Sequence, residues 1–216
     1  MRLRYLSEAN GRWLQAWWKQ LQADSGAAEA GPPALLRLGR GDRARLRRAA
    51  SVEELETERA AQLLVVGLRS AEWWNSAAQR WFADHAEPLL MTAGVLAAVK
   101  EDARDSKSLA WCVGNAEANG GQAPMSELRF KRLLKARNLD EFFLAARRAV
   151  GLASGTADVA VLADDLLAWA YEHGLRGAGR PAQSMCFRWA QDYYQPLKGK
   201  DAYWAADEEA REGDKA

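Results

Sequence analysis

The chain has 216 residues, 49% hydrophobic and 27% charged, a balance that buries a core and excludes a wholly disordered chain. At roughly 100–200 residues per domain, that is one domain or two small ones. It carries 9 Val, 3 Thr and no Ile against 43 Ala and 27 Leu. β-branched residues favour strands, and Ala and Leu favour helix. The composition therefore argues against a sheet-based fold and against most nucleotide-binding enzyme folds. Net charge is only +1, but Arg outnumbers Lys 22 to 8, and the charges are unevenly spread.

Leu14, Trp17, Trp18 and Leu21 form an i, i+3, i+4, i+7 stripe, which predicts an amphipathic helix over 6–23. Asp24 to Pro33 reads as a loop. Ala34 to Leu38 is at most a turn of helix, ended by Gly39-Arg40-Gly41. Asp42 reads as the N-cap of a helix to Ala50. Ser51 and Glu54 have capping-box spacing and predict a helix to Leu68. Ser70 to Phe82 reads as an aromatic helix, and Pro88 opens another to Val99. Asp102 to Ser106 is a polar loop, followed by a helix over Ser108 to Ala118.

Asn119 to Pro124 is the strongest break in the chain, the point where two lobes would divide. Ser126 reads as the cap of a helix to Ala136. Leu139 to Leu152, Val161 to Tyr171 and Gln183 to Tyr194 are further helices, separated by a turn at Gly155 to Asp158 and a Gly-rich loop at Gly174 to Pro181. The expected fold class is all-α, a compact multi-helix bundle with no sheet. Residues 1–200 read as a single helical domain and 201–216 as an acidic, disordered tail.

Targeting and enzymatic signals are weak. No charged region followed by an apolar one opens the chain, so no signal peptide is predicted. The longest weakly polar run, Pro88 to Val99, has 12 residues and is too short for a bilayer. The two cysteines are 74 positions apart and read as small buried hydrophobes in a reducing cytosol, so the chain is expected to be cytoplasmic. Gly39-x-Gly41-x-x-Ala44 matches a dinucleotide fingerprint only formally, because no strand precedes it. His85 and His173 lack ligand-spaced partners. Asp164 and Asp165 are adjacent on a helix, where neighbours diverge. The G-x-S-x-G elbow is absent. No catalytic set, metal site or cofactor is expected.

The charge distribution carries more. Arg37 to Arg48 holds six Arg against one Asp, and Leu128 to Arg148 holds seven Lys/Arg against Asp140 and Glu141. On a helix, Phe130, Leu133 and Leu134 fall on one side and Arg129, Lys131, Arg132 and Lys135 on the other. Read over Leu128 to Arg137, that face holds no acid. Basic blocks of this kind are the electrostatic footprint of phosphate binding. The nucleic-acid-binding candidates are Arg43, Arg47, Arg48, Arg129, Lys131, Arg132, Lys135, Arg137, Arg147 and Arg148. The ten tryptophans mostly sit at core spacing, with base stacking as the alternative.

The order of these segments resembles the CasB family, the small subunit of the type I-E CRISPR surveillance complex, Cascade. The resemblance rests on Trp17-Trp18, the block Asp42 to Ala49, Ser108 to Ala110, Arg129 to Arg137, Leu144 to Val150 with Arg147 and Arg148, Leu162 to Trp169, and Arg188 to Tyr194. It implies an all-α, non-catalytic subunit that sits as a pair beside the subunits coating the guide RNA. Such a subunit holds the target strand and the displaced strand open as an R-loop. The family's cationic residues correspond to Arg47, Arg48, Arg129, Arg132, Lys135, Arg137 and Arg147. The implied partners are other Cascade subunits, guide RNA, target DNA and a second copy of the chain, with no membrane and no cofactor. The tail after Lys200 lies outside the family pattern. The alternatives are a helical nucleic-acid-binding protein outside CRISPR and a helical adaptor that binds only protein.

Overall fold

The computed structural model describes residues 3–22, 35, 37–115, 122–175 and 184–195. The helices are α1 (Glu8–Gln22), α2 (Arg40–Arg48), α3 (Arg59–Ser70), α4 (Ser76–Asp84), α5 (Glu87–Leu96), α6 (Leu109–Gly114), α7 (Glu127–Leu134), α8 (Leu139–Leu152), α9 (Val159–Gly174) and α10 (Met185–Tyr194). Two strands of two residues, β1 (Glu101–Asp102) and β2 (Thr156–Ala157), pair in parallel. The all-α reading holds. The ladder is a small addition to it, built where a polar loop and a turn were expected.

Two helices are buried almost all round and form the centre. Every residue of α5 from Pro88 to Leu96 is buried, as is α9 from Val159 to Ala170. A helix apolar on every side belongs inside a protein. α3 and α8 pack on α5, α1 packs on α9, and α6 packs on α10. Gly94 makes the close approach of α5 possible, since a Cβ there would stand 2.7 Å from Phe143.

The tryptophans serve this core. Five of the nine described ones are buried, Trp17, Trp18, Trp73, Trp169 and Trp189. Four of these indoles donate to partners within the fold: Trp17 to the Ala60 carbonyl at 2.9 Å, Trp18 to Val99 at 3.2 Å, Trp73 to Leu68 at 2.9 Å and Trp189 to Asp165 at 2.8 Å. A buried indole needs such a partner.

Several boundaries differ from the expected ones. Asp42 is not the N-cap of α2. Gly39 is, and Asp42 sits a turn inside, its Oδ2 accepting the Gly39 N–H at 3.0 Å. Arg40 and Gly41 are therefore helical rather than a break. Ser51 and Glu54 form half of the expected box: Ser51 Oγ accepts the Glu54 N–H at 3.4 Å, while the Glu54 carboxylate accepts the Ala50 N–H at 2.9 Å. They support only a 3-10 turn, Glu53–Leu55, because Glu58 turns extended and caps α3 instead. The expected Ser70 to Phe82 helix is interrupted. Trp73 folds back to donate to the Leu68 carbonyl at 2.9 Å, and the Asn75 side chain restarts the helix by accepting the Ala78 N–H.

The Asp24 to Pro33 loop, residues 116–118 of the helix after Ser108, residues 119–121 of the 119–124 division and the 201–216 tail lie outside the described residues. No helix among the described residues is long and apolar enough to cross a membrane.

Candidate nucleic-acid interface

The two basic blocks of the sequence meet on α8. Phe142, Phe143, Ala146, Ala149 and Val150 face the core, which leaves Leu144, Arg147, Arg148 and Gly151 along the outer ridge. Leu46 anchors α2 beneath the surface, so Arg47 and Arg48 stand at its exposed C-terminal end. Phe130 and Leu133 anchor α7 in the same way, with Arg129 and Arg132 outside.

Two clefts flank the ridge. One, of about 770 Å³, lies between α2 and α8 and is lined by Arg47, Arg48, Lys100, Arg147 and Arg148. The other, of about 690 Å³, lies between α7 and α8 and is lined by Arg129, Arg132, Arg148 and Glu141. Both contain Leu144, Arg148 and Gly151. The two clefts adjoin along this ridge and together make the groove along α8. Among the described residues, no carboxylate pairs with Arg47, Arg48, Arg129, Arg132 or Arg148. Guanidinium groups without partners on concave walls focus a positive field on a polyanion.

The other candidates are placed differently. Arg43 turns inward, donating through Nε to the Ala97 carbonyl at 3.0 Å and through Nη2 to Val99 at 2.8 Å. Arg147 donates to the carbonyls of Ala49 and Arg47 at the end of α2 and lies over the Phe143 ring, 4.9 Å from its centroid. Burial, then the charge of Arg47, lowers the pKa of both guanidiniums. Lys131 pairs with Glu127. The α7 face is thus not free of acid, because the pairing residue stands just before Leu128. Lys131, Lys135 and Arg137 lie outside both clefts. Near α2, Arg45 pairs with Asp42 and with Glu58 at 3.1 Å.

Lys100 and Glu141 join the groove without having been singled out in the sequence. Lys100 is an isolated lysine at the end of an apolar run, so charge clustering offered no signal. Its stem crosses Gly155, whose φ is +85°, and a Cβ at that glycine would stand 2.8 Å from Lys100 Cγ. Glu141 is anchored at the start of α8, where it accepts the Arg137 N–H at 2.9 Å.

Asp164, Asp165 and both histidines make hydrogen bonds within the fold. Asp164 accepts the backbone N–H groups of Arg4, Tyr5 and Leu6 at 2.8–2.9 Å. Asp165 accepts from Arg188 at 3.1 Å and from the Trp189 indole at 2.8 Å. His85 stacks on Trp81 and His173 on Trp169, each bonded to a backbone carbonyl. Burial raises both cysteine thiols to about 11, which keeps them protonated. Among the described residues no group of three or more His, Cys, Asp or Glu is placed to hold a metal ion.

The profile of the family CRISPR-associated protein Cse2 matches residues 42–194, from α2 through α10. The chain belongs to that family. The match spans every segment that builds the groove. A crystal structure of a Cse2-family CRISPR-associated protein from Thermus thermophilus is similar, at 26% identity and TM-score 0.53, covering 86% of this chain and 97% of that one. A crystal structure of CasB, also from Thermus thermophilus, is similar at 25% identity and TM-score 0.52, with the same coverage of 86% and 97%. No curated protein matches. The Cse2 profile and the two Thermus structures agree with the CasB resemblance read from the sequence.

Proposed function

We propose that this Cse2-family chain is the non-catalytic small subunit of a type I-E Cascade complex, and that the groove along α8 holds single-stranded segments of the R-loop through their phosphates. In that role it works beside other Cascade subunits, guide RNA and target DNA, paired with a second copy of itself. One observation carries the reading. Three chain-distant segments, at residues 47–48, 129–132 and 147–148, bring cations to one groove, and five of its arginines have no acidic partner among the described residues.

The groove suits an extended polyanion. Opening a duplex over a guide is nearly energy-neutral, so modest contacts to the strands tip it. A displaced strand offers phosphates and flexible bases rather than a fixed groove, and a sequence-blind basic track meets that ligand. An adaptor that binds only protein would need the same arginines to face acidic side chains.

The test is binding of random-sequence single-stranded DNA at two salt concentrations. Combined replacement of Arg48, Arg129, Arg132 and Arg148 by Ala should weaken binding equally for all sequences. Each lost contact should lower the salt slope by roughly 0.7. In the assembled complex the same change should shorten R-loop lifetime more than it impairs assembly. Wild-type affinity and slope in the quadruple variant would refute the reading and favour the adaptor.

A further inference from the structure

A third cleft, of about 230 Å³, lies beside the groove, and its lining includes Ala103, Asp105, Trp111, Leu152, Ser154 and Thr156. Leu152 also lines the α7–α8 half of the groove, and Gly155, between Ser154 and Thr156, lines the α2–α8 half. The cleft therefore adjoins both halves of the groove. The volume lies below the range of roughly 300–1,000 Å³ usual for whole small-molecule ligands. It has room for one planar ring, not for a nucleoside with its phosphates.

Its chemistry is that of a stacking pocket. Trp111 is half-buried and forms a wall. The Lys107 ammonium, paired with Asp105 at 3.5 Å, lies over one face of that ring, 3.6 Å from its centroid, so a base would stack on the other face. Leu152, Ala103 and Ala153 give the cleft apolar lining, and Ser154 and Thr156 give it polar lining, with the Thr156 hydroxyl donating to Glu101 at 3.4 Å. Aromatic rings beside a basic track hold bases without regard to sequence, because every base has a π-face.

The backbone around the cleft is costly to build. Among the described residues, positive φ occurs only at Arg104 (49°), Ser106 (60°), Ser154 (60°) and Gly155 (85°). All four lie in the two loops that flank this cleft. Left-handed backbone at three non-glycine residues is strained, and such strain gathers at sites of function. The strain is held by the β1–β2 ladder, by Ser106 N–H donating to Asp158 at 3.0 Å and by Val159 N–H donating to Asp102 at 3.0 Å.

We propose that this cleft receives one base of the single strand that the arginines hold, stacked against Trp111. The inference rests on the phosphate-track reading of the groove. It adds a base contact that the charge pattern does not contain.

The experiment compares oligothymidylate with an abasic strand of the same length, which keeps the phosphates and lacks the bases. Wild-type protein should bind the thymidylate about tenfold more tightly, the scale of one stacked base. Trp111→Leu should remove that preference and leave the salt slope unchanged, while Trp111→Phe should keep most of it. Ala103→Leu fills the cleft without touching the tryptophan and should act like Trp111→Leu, which separates the pocket from any folding role of the indole. Equal wild-type affinity for the two strands, with the salt slope intact, would overturn the base pocket and leave the phosphate track standing. Salt-independent binding of both strands would overturn the phosphate track itself.

Discussion

Arg147 on α8 donates through Nη1 to the carbonyl of Ala49 at 2.5 Å, across 98 positions of sequence. The same guanidinium reaches the Arg47 carbonyl. These carbonyls end α2, where helix acceptors lack partners of their own. Arg147 therefore caps one basic segment from another and sets Arg47 and Arg48 beside Arg148. Its cation is spent on the backbone rather than turned to solvent.

That geometry separates position from charge. Arg147→Lys keeps the charge but loses the planar fork that spans two carbonyls. It should bind single-stranded DNA as poorly as Arg147→Ala, with about 1–2 kcal/mol lost from stability in denaturant unfolding. A lysine variant that binds like wild type would make Arg147 a direct phosphate contact.

Lys131 makes the opposite case. It is exposed and paired with Glu127 one turn earlier. The pair raises the lysine pKa and lowers that of the carboxylate. Lys131→Ala should change strand affinity by less than about twofold, as expected for an exposed, compensated charge. Glu127→Ala frees the ammonium and should tighten binding, raising the salt slope by up to about 0.7. Salt titration of the two variants side by side checks both expectations. A large loss in Lys131→Ala would show that the ammonium leaves the pair to meet phosphate.

The helices were legible because burial imposes its period on the chain. Leu14, Trp17, Trp18 and Leu21 are all buried as their spacing requires. The boundary at Gly39 was missed because an extended glycine can cap a helix when Asp42 returns a carboxylate to its N–H. The pairing of Glu127 with Lys131 is an i, i+4 relation that the sequence does contain, with the acid one residue before the basic run. The groove was not legible. It depends on how α2 and α7 lean on α8, a tertiary fact that no local period encodes. Composition found the basic residues, and only packing sorted Arg43 and Arg147 from Arg48 and Arg148.

Asp165 gives a stability signature in pH. Burial pushes its carboxyl up to about 6, against the pull of Arg188 and the Trp189 N–H. Burial raises neighbouring Asp164 as well, opposed by three backbone N–H groups. A carboxyl with a raised folded pKa binds its proton more tightly in the native state. Its contribution is therefore full below the unfolded value of about 3.9 and is lost as pH rises through about 6. Comparing wild type with Asp165→Asn removes the background of other carboxylates. The stability difference should move against wild type by on the order of 2 kcal/mol between pH 4 and pH 7. A flat difference across that range would mean the carboxylate is fully solvated or ideally paired.

Two glycines test how tightly the groove is built, with opposite signs. A Cβ on Gly114 would stand 2.3 Å from the Tyr193 carbonyl oxygen, so α6 and α10 must part for it. Tyr193 in turn stacks on Phe130 of α7, with centroids 4.0 Å apart. It also donates to the Met125 carbonyl at 2.6 Å. Gly114→Ala should cost about 1–3 kcal/mol, the usual penalty for overpacking. It should also weaken strand binding, because the wall carrying Arg129 and Arg132 shifts with α7. Gly151 lies in α8 at the meeting of the two clefts, and a Cβ there meets nothing within 4 Å. Gly151→Ala should stabilise the fold by about 0.5–1 kcal/mol through helix propensity alone. Its methyl enters open groove, so strand affinity should stay within about twofold if the strand lies on the arginines rather than on the ridge. Denaturant unfolding and strand titration of both variants read the two effects separately. A stabilised Gly151→Ala that no longer binds would put the strand against the ridge backbone itself.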